Sequence, residues 1–517
     1  MSPWASLGMS TIGPQETEGI ELECRILGSI VEDFPIYVGL IEHYLESSMV
    51  RVVPRIFVNM LLECLATLIE KNNLRAYALL DLAKNVRSST AFPVRYDTGG
   101  VSDSYFGCYL GDNLRWEALG IYFTLVASSM IMYIPPSPLR DIQRNLKDRI
   151  PKLIEASSSC IELWHFQTWR RLVELSGVFF ESKVHQPTRY DNGVLRYIYE
   201  MHRRLVSAIY IIDKSVCTVM HRPPLIGRFF CEYGFPLDLD DAVLFCLPDQ
   251  GRVDPPQLDI HGWSINEGYC AATWLRLRNF FSTFREDLLK LSQCNQNETN
   301  RWFDAAIKGL PQKLSLVWQN LPQHVKYSTA DLEKCTESQR FFLAVTSLEF
   351  LLIKLQTEFY LCSYTNRERN LLISEAQNLV ATVLGMIESS QRLRPFPEEH
   401  PRAILQYAMP AAHILIYQVS RETSPTVAGD TLEDFSAFHT MTYLTEFMSH
   451  LGANSDPLCP AYKRLSDKFK AASARFEGSA SGNAVAMDGE SSWASWAQRT
   501  IGTTEFFTIL DDSYVRL

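Results

Sequence analysis

The chain has 517 residues, 46% of them hydrophobic and 21% charged, and its 49 Lys+Arg against 59 Asp+Glu leave a net charge of −10. Such a composition supports a large buried core and excludes a disordered or coiled-coil chain, while the acidic balance argues against wrapping nucleic acid, because phosphate contacts need clustered Lys and Arg. At roughly 150 residues per domain the length fits about three or four domains, or one extended helical unit.

The opening "MSPWASLGMSTIGPQETEG" has no basic stretch followed by an apolar one, so it does not read as a signal peptide. Residues 1–24 are expected to be a disordered start. Apolar residues at helical spacing predict helices near 31–47 and 54–69, before a loop "VRYDTGGVSDS" at 94–104. Residues 118–134 form a run of 17 uncharged residues, at the lower limit for a membrane span. The run contains Thr124, Ser128 and Ser129, starts against Arg115 and Glu117, and ends at Pro135-Pro136. A buried core helix at 116–134 is therefore expected, and no membrane. Residues 138–152 hold five basic and two acidic residues and read as a solvated helix face.

Further helices are expected near 162–180 and along a stripe of Ile198, Met201, Leu205, Ala208 and Ile212. After an irregular stretch at 245–263 comes a helix near 268–291. Phe341, Val345, Leu348, Leu352, Leu355 and Phe359 then line one face of a long helix. Periodicity continues at 370–388, 403–419, 432–450 and 459–475, with a break "LRPFPEEHP" at 393–401. Sustained alternation is almost absent, so the fold is read as all-α, with residues 25–475 as one large helical domain. Residues 476–517 differ: Gly, Ser and Ala give way to Trp493, Trp496, Phe506, Phe507, Leu510, Asp511 and Asp512. With six acidic and two basic residues from Glu477 on, this tail has the make-up of a flexible activation segment. The competing reading is a peptide that packs back on the domain. The sequon at Asn297 carries no weight without a secretory signal.

The twelve cysteines are scattered, the closest pair fourteen apart, with no C-x-x-C. A metal cluster needs ligands a few residues apart, so no metal or other cofactor is expected. Scattered reduced cysteines fit a nuclear or cytosolic protein. H-E-x-x-H, G-x-S-x-G, G-x-G-x-x-G and the phosphate-loop pattern are all absent, and the eleven histidines never pair at i, i+4. One acidic pattern stands out: Asp238, Asp240 and Asp241 form D-x-D-D. A general acid that protonates an alkene, as in all-helical terpene cyclases, uses such a pattern. The alternative is structural: Pro236 stops the preceding segment, and Asp238 or Asp240 caps a helix beginning near Asp241. The second reading explains more of the local sequence, and no enzyme is expected.

"IYIIDKSVCTVMHRPPLI" (209–226) resembles a signature of the regulatory middle homology region of fungal binuclear zinc-cluster transcription factors. There a helix carrying an Asp, matched by Asp213, runs into an Arg-Pro-Pro turn, matched by Arg222, Pro223 and Pro224. An acidic segment resembling "FPLDLDD" follows. "GDNLRWEALGIYF" (111–123), with Arg115, Trp116 and Glu117, resembles the family's Leu-Arg-Trp-Glu-x-Leu-Gly segment. "LQYAMPAAHILIYQV" (405–419), with Pro410, resembles its Tyr-Gly-Leu-Pro-Ala-Ala helix, and "LEDFSAFHTMTYLTEF" (432–447) its late helix. The order is that of the family, and the likeness spans residues 25–475. His221 and Ala408 stand where the family has Gly. The family's zinc-binding cluster of six cysteines has no counterpart here: Cys24 is the only cysteine before Cys64, and residues 1–20 hold no Lys or Arg.

The resemblance implies an all-helical regulatory domain of a fungal transcription regulator, acting in the nucleus or the cytoplasm. It implies transcription machinery or related zinc-cluster regulators as partners, a homodimer as one arrangement, and a small-molecule effector. DNA binding is expected only if a cluster lies upstream. An interaction protein that dimerises with or titrates related regulators is the alternative. Arg222 is expected to bond helix-end carbonyls or to pair with Asp213 or the 238–241 group, and Trp116 to anchor a helix in the core.

Overall fold

The computed structural model describes residues 14–47, 53–72, 76–91, 106–132, 168–186, 196–220, 222–231, 233–245, 258–265, 268–293, 301–326, 335–365, 369–393, 403–421, 431–452 and 458–480. Of these, 84% are helical and none lies in a strand, so the fold is all-α. The stretch 138–152, Asn297, the 94–104 loop and the tail from residue 481, with Trp493, Trp496, Phe506, Phe507, Leu510, Asp511 and Asp512, lie outside the described residues.

The chain divides into two compact units. One comprises residues 1–206 and 232–275, the other 207–231 and 276–517. The chain passes between them three times, inside a helix after Val206 and after Leu275 and outside one after Cys231.

In the first unit α1 (Pro14–Glu32) and α2 (Phe34–Ser47) follow each other, with the Asp33 carbonyl accepting from Ile36 N and Tyr37 N at 3.0 Å each. Residues 14–24 are helical rather than a disordered start. Next come α3 (Arg55–Asn72), α4 (Ala76–Ala91), α5 (Trp116–Met132) and α6 (Thr168–Glu181). α5 is apolar all round and buried, through Leu119, Tyr122, Phe123, Val126 and Met130, against α2, α3 and α4. The buried Ser129 hydroxyl donates to the Val126 carbonyl at 2.8 Å, which satisfies it inside the core, and the exposed Thr124 hydroxyl donates to the Gly120 carbonyl at 2.8 Å. α7 (Arg196–Met220) and α9 (Ala271–Gln293) are the two helices that cross the division, and the short α8 (Asp241–Phe245) lies between them in sequence.

The second unit continues with α10 (Arg301–Asn320), α11 (Glu337–Thr365), α12 (Asn370–Leu393), α13 (Met409–Arg421), α14 (Thr431–Gly452) and α15 (Leu458–Ala480). Leu348, Leu352, Leu355 and Phe359 on α11 are buried, as their spacing predicts, against α12 and α13. Trp318 of α10 stacks on Phe350 of α11 with centroids 3.9 Å apart. Among the described residues one helix is long and apolar enough to cross a membrane, at 370–388 of α12. Its Leu379, Val380, Val383 and Leu384 are buried in this core. A π turn, Ile404–Ala408, leads into α13. Pro410 gives the cause: it has no N–H to donate, and its ring crowds the carbonyl four residues back, so the preceding turn widens. Ala408, Ala411 and Ala412 are fully buried and let α13 sit close to its neighbours.

Three helices escaped the periodicity: most of α1, α4, and α10, which carries Gly309 and Pro311 in its interior. The stripe predicted on α7 is buried only in part: Ala208 is buried and Met201 packs against the core. Leu205 and Ile212 are 40% and 47% exposed, while Glu200, Arg204, Ser207, Asp213 and Lys214 are buried. The polar face of α7 points inward because each charge on it meets a partner.

Candidate functional site

In the first unit the buried end of α7 grips the acidic segment. Glu200 accepts the Leu237 N–H at 2.8 Å. Arg204 donates to the Leu239 carbonyl at 2.7 Å and to the Asp241 carboxylate at 2.5 Å, with Glu200 at 3.6 Å. The three aspartates of D-x-D-D have three separate tasks. Asp240 is the N-cap of α8, its carboxylate accepting from Ala242 N at 2.8 Å. Asp241 is the Arg204 partner. Asp238 is buried and accepts from Ser264 N at 3.0 Å and from the Thr273 hydroxyl and the Cys270 thiol at the start of α9. Its own N–H donates to the Gly262 carbonyl at 3.0 Å, and Gly262 has φ +83°, which the 258–264 turn requires. A carboxylate at a helix start is favoured by the macrodipole. The pattern is a folded corner that joins three segments. Asp240→Ala should lower stability by about 1 kcal/mol, the usual loss of an N-cap, measured by urea denaturation; an unchanged midpoint would remove the capping role.

Arg115 performs the task expected of Arg222. Its guanidinium donates to the carbonyls of Ser89 (2.5 Å) and Thr90 (3.1 Å) at the end of α4, with Glu117 at 3.1 Å. Trp116 is buried, and its N–H donates to the Thr90 hydroxyl at 3.0 Å. The Arg-Trp-Glu segment thus closes one helix and opens the next.

In the second unit the cation at Asp213 is Lys214. Its Nζ lies 2.5 Å from Asp213, donates to the Ile226 carbonyl, lies over the Tyr210 ring at 3.9 Å, and stands 3.8 Å from Glu286. Asp213 also accepts from Leu225 N (3.1 Å) and Ile226 N (3.2 Å), fixing the chain just after Pro223-Pro224, while Arg222 is exposed and its N–H donates to the Cys217 carbonyl. Asp213, Lys214 and Glu286 are each fully buried. Burial would raise the Glu286 carboxyl, but bonds from Lys290 and Tyr210 and the nearby Lys214 charge outweigh it and hold the group below the ordinary carboxylate range. Glu286 therefore stays ionised, accepting also from Arg228 N at 3.2 Å.

The next residue of α9, Asp287, faces a cleft of about 300 Å³ between α9 and α10. Asp287 meets Arg228 and Lys313, each at 2.9 Å. Lys290 completes the basic side, and Ala305, Ala306, Gly309 and Leu310 form the other wall. Phe229 stands beside it, 81% exposed, with Arg228 and Lys290 at 5.6 and 5.4 Å from its ring centroid.

Cys24, Cys64, Cys108, Cys217, Cys231, Cys270, Cys335 and Cys362 are free thiols. Burial, aided by Asp213, pushes Cys217 up to about 12, and burial pushes Cys231 and Cys270 up to about 11, so these three remain protonated and poor nucleophiles. Among the described residues no group of three His, Cys, Asp or Glu is placed to hold a metal.

The sequence reading singled out Asp213 and the aspartates but missed Lys214, Glu286, Glu200, Arg204 and Arg228. Glu200, Arg204, Ser207 and Lys214 fall at helical spacing, a stripe visible in the sequence, but only the apolar stripe of this helix was read. No family model, no curated protein and no solved structure matches this chain.

Proposed function

We propose that this chain is a transcription regulator of the fungal zinc-cluster class, acting through its helical part as a regulatory domain in the nucleus. The observation that carries the reading is the ordered set of four segments around Arg115, Asp213 with Arg222-Pro223-Pro224, Pro410 and residues 432–447. Several of these residues sit at joints. Arg115 ties the end of α4, Asp213 fixes the turn after α7, and Pro410 sets the π turn before α13. A chain that resembles the family there resembles it in how its helices are connected, which supports a shared regulatory scaffold. Transcription machinery and related regulators are the proposed partners.

The test is to tether the full 517-residue chain to a heterologous DNA-binding domain and read a reporter in a fungal host, in activation and repression formats. A several-fold change in either format is expected. A fusion that accumulates in the nucleus and leaves both reporters unchanged overturns the proposal.

A further inference from the structure

We infer that the cleft between α9 and α10 binds a small anion of the phosphate-monoester type that carries a short apolar body. Anion binding here is independent of the transcriptional role proposed above. Three cations line the cleft, Arg228, Lys290 and Lys313, against Asp287 in the lining and Glu286 paired with Lys290, which leaves an excess of one positive charge (3 − 2) toward an anion. Asp287 holds two of these cations in place at 2.9 Å, so they are oriented before any ligand arrives. The third, Lys290, is held by Glu286. The cations are one-third to one-half exposed, at 33%, 32% and 47% for Arg228, Lys290 and Lys313, so their remaining donors reach solvent. A guanidinium fork with two ammonium groups suits tetrahedral oxyanions.

The opposite wall accounts for the apolar body. Gly309 lies in the interior of α10, two residues before Pro311, where both residues weaken a helix. Gly309 lines the cleft, and a Cβ built on it would meet nothing within 4 Å. The absent side chain, with Ala305 and Ala306 beside it, keeps the wall low and apolar. Phe229 offers an exposed ring next to two of the cations. The volume of about 300 Å³ is at the small end of ligand pockets, which suits a metabolite rather than a polymer.

The test is calorimetric titration of the full-length protein with phenyl phosphate, inorganic phosphate, benzoate and benzylamine. Saturable binding of phenyl phosphate is expected, tighter than inorganic phosphate and benzoate and weakened by salt, with none for benzylamine. Lys313→Gln should weaken it about tenfold through loss of one charge-assisted bond. Gly309→Val should abolish binding while the melting temperature holds, since the added group enters open space and valine is the better helix former. Absence of saturable phenyl phosphate binding overturns the inference. So does binding that both variants leave unchanged. Inorganic phosphate binding more tightly than phenyl phosphate overturns the apolar-body assignment.

Discussion

Lys214→Met destabilises the second unit by about 3–5 kcal/mol, the usual loss when one partner of a buried ion pair is removed. Lys214 is fully buried, and its charge lies between two equally buried carboxylates, Asp213 and Glu286. Methionine has a similar reach but no charge and no donors. The variant leaves Asp213 with the Leu225 and Ile226 amides and Glu286 with Tyr210, Lys290 and Arg228 N, which solvate the two charges only in part. It also strips the Ile226 carbonyl of its Lys214 bond. Urea denaturation of wild type and variant measures the loss. Lys313→Gln is the control, because the Lys313–Asp287 pair is half exposed on its cation and such pairs contribute about 0–1 kcal/mol. A Lys214→Met midpoint as close to wild type as the control's would show that the buried cluster is not what holds the turn after Pro224. Adding Asp213→Asn should recover part of the loss, since the neutral amide no longer requires a counter-charge.

Arg204→Met produces a loss of similar size, about 3–5 kcal/mol, in the first unit. The side chain is 4% exposed, and it bonds Asp241, the Leu239 carbonyl and Glu200. Removing it leaves the Glu200 carboxylate buried beside Arg203 and the Leu237 amide, and takes from the corner 237–241 its ties to α7 at Leu239 and Asp241. Hydrophobic contacts through Leu239 and Leu244 remain, so the unit should stay folded but weakened. Limited proteolysis supplies a second readout: cleavage within 233–245 should accelerate well before the rest of the unit is attacked. Protection equal to wild type, with an unchanged urea midpoint, would reduce Arg204 to a spectator.

Both expectations rest on groups that the sequence reading did not choose, and the reason is instructive. Asp213 was visible as a charge within an apolar helix, and Arg222 as a cation at a proline turn, so pairing them was natural by proximity along the chain. Arg222 is instead exposed, and the role went to the adjacent Lys214, whose position between Asp213, Ile226 and Glu286 depends on α9 arriving 72 residues later (286 − 214). Arg115 likewise reaches back 25 and 26 residues to the end of α4. D-x-D-D gave the opposite result. Its capping role follows from Pro236, the acids and the apolar residues behind them, and Asp240 fulfils it.

The sequence by itself determined that the fold is helical, where most helices lie, and that the apolar run beginning at residue 118 is a buried helix. Those properties follow from local spacing: apolar residues three and four apart must share a face, and α5 and the stripe on α11 bury that face. Only the tertiary structure decided that α7 turns its charges inward, that the chain forms two units, and that a mid-helix glycine and Lys313 on α10 share a cleft with Arg228 and Lys290. Burial of charge depends on partners distant in sequence, and the spacing along one helix carries no information about which partner will arrive.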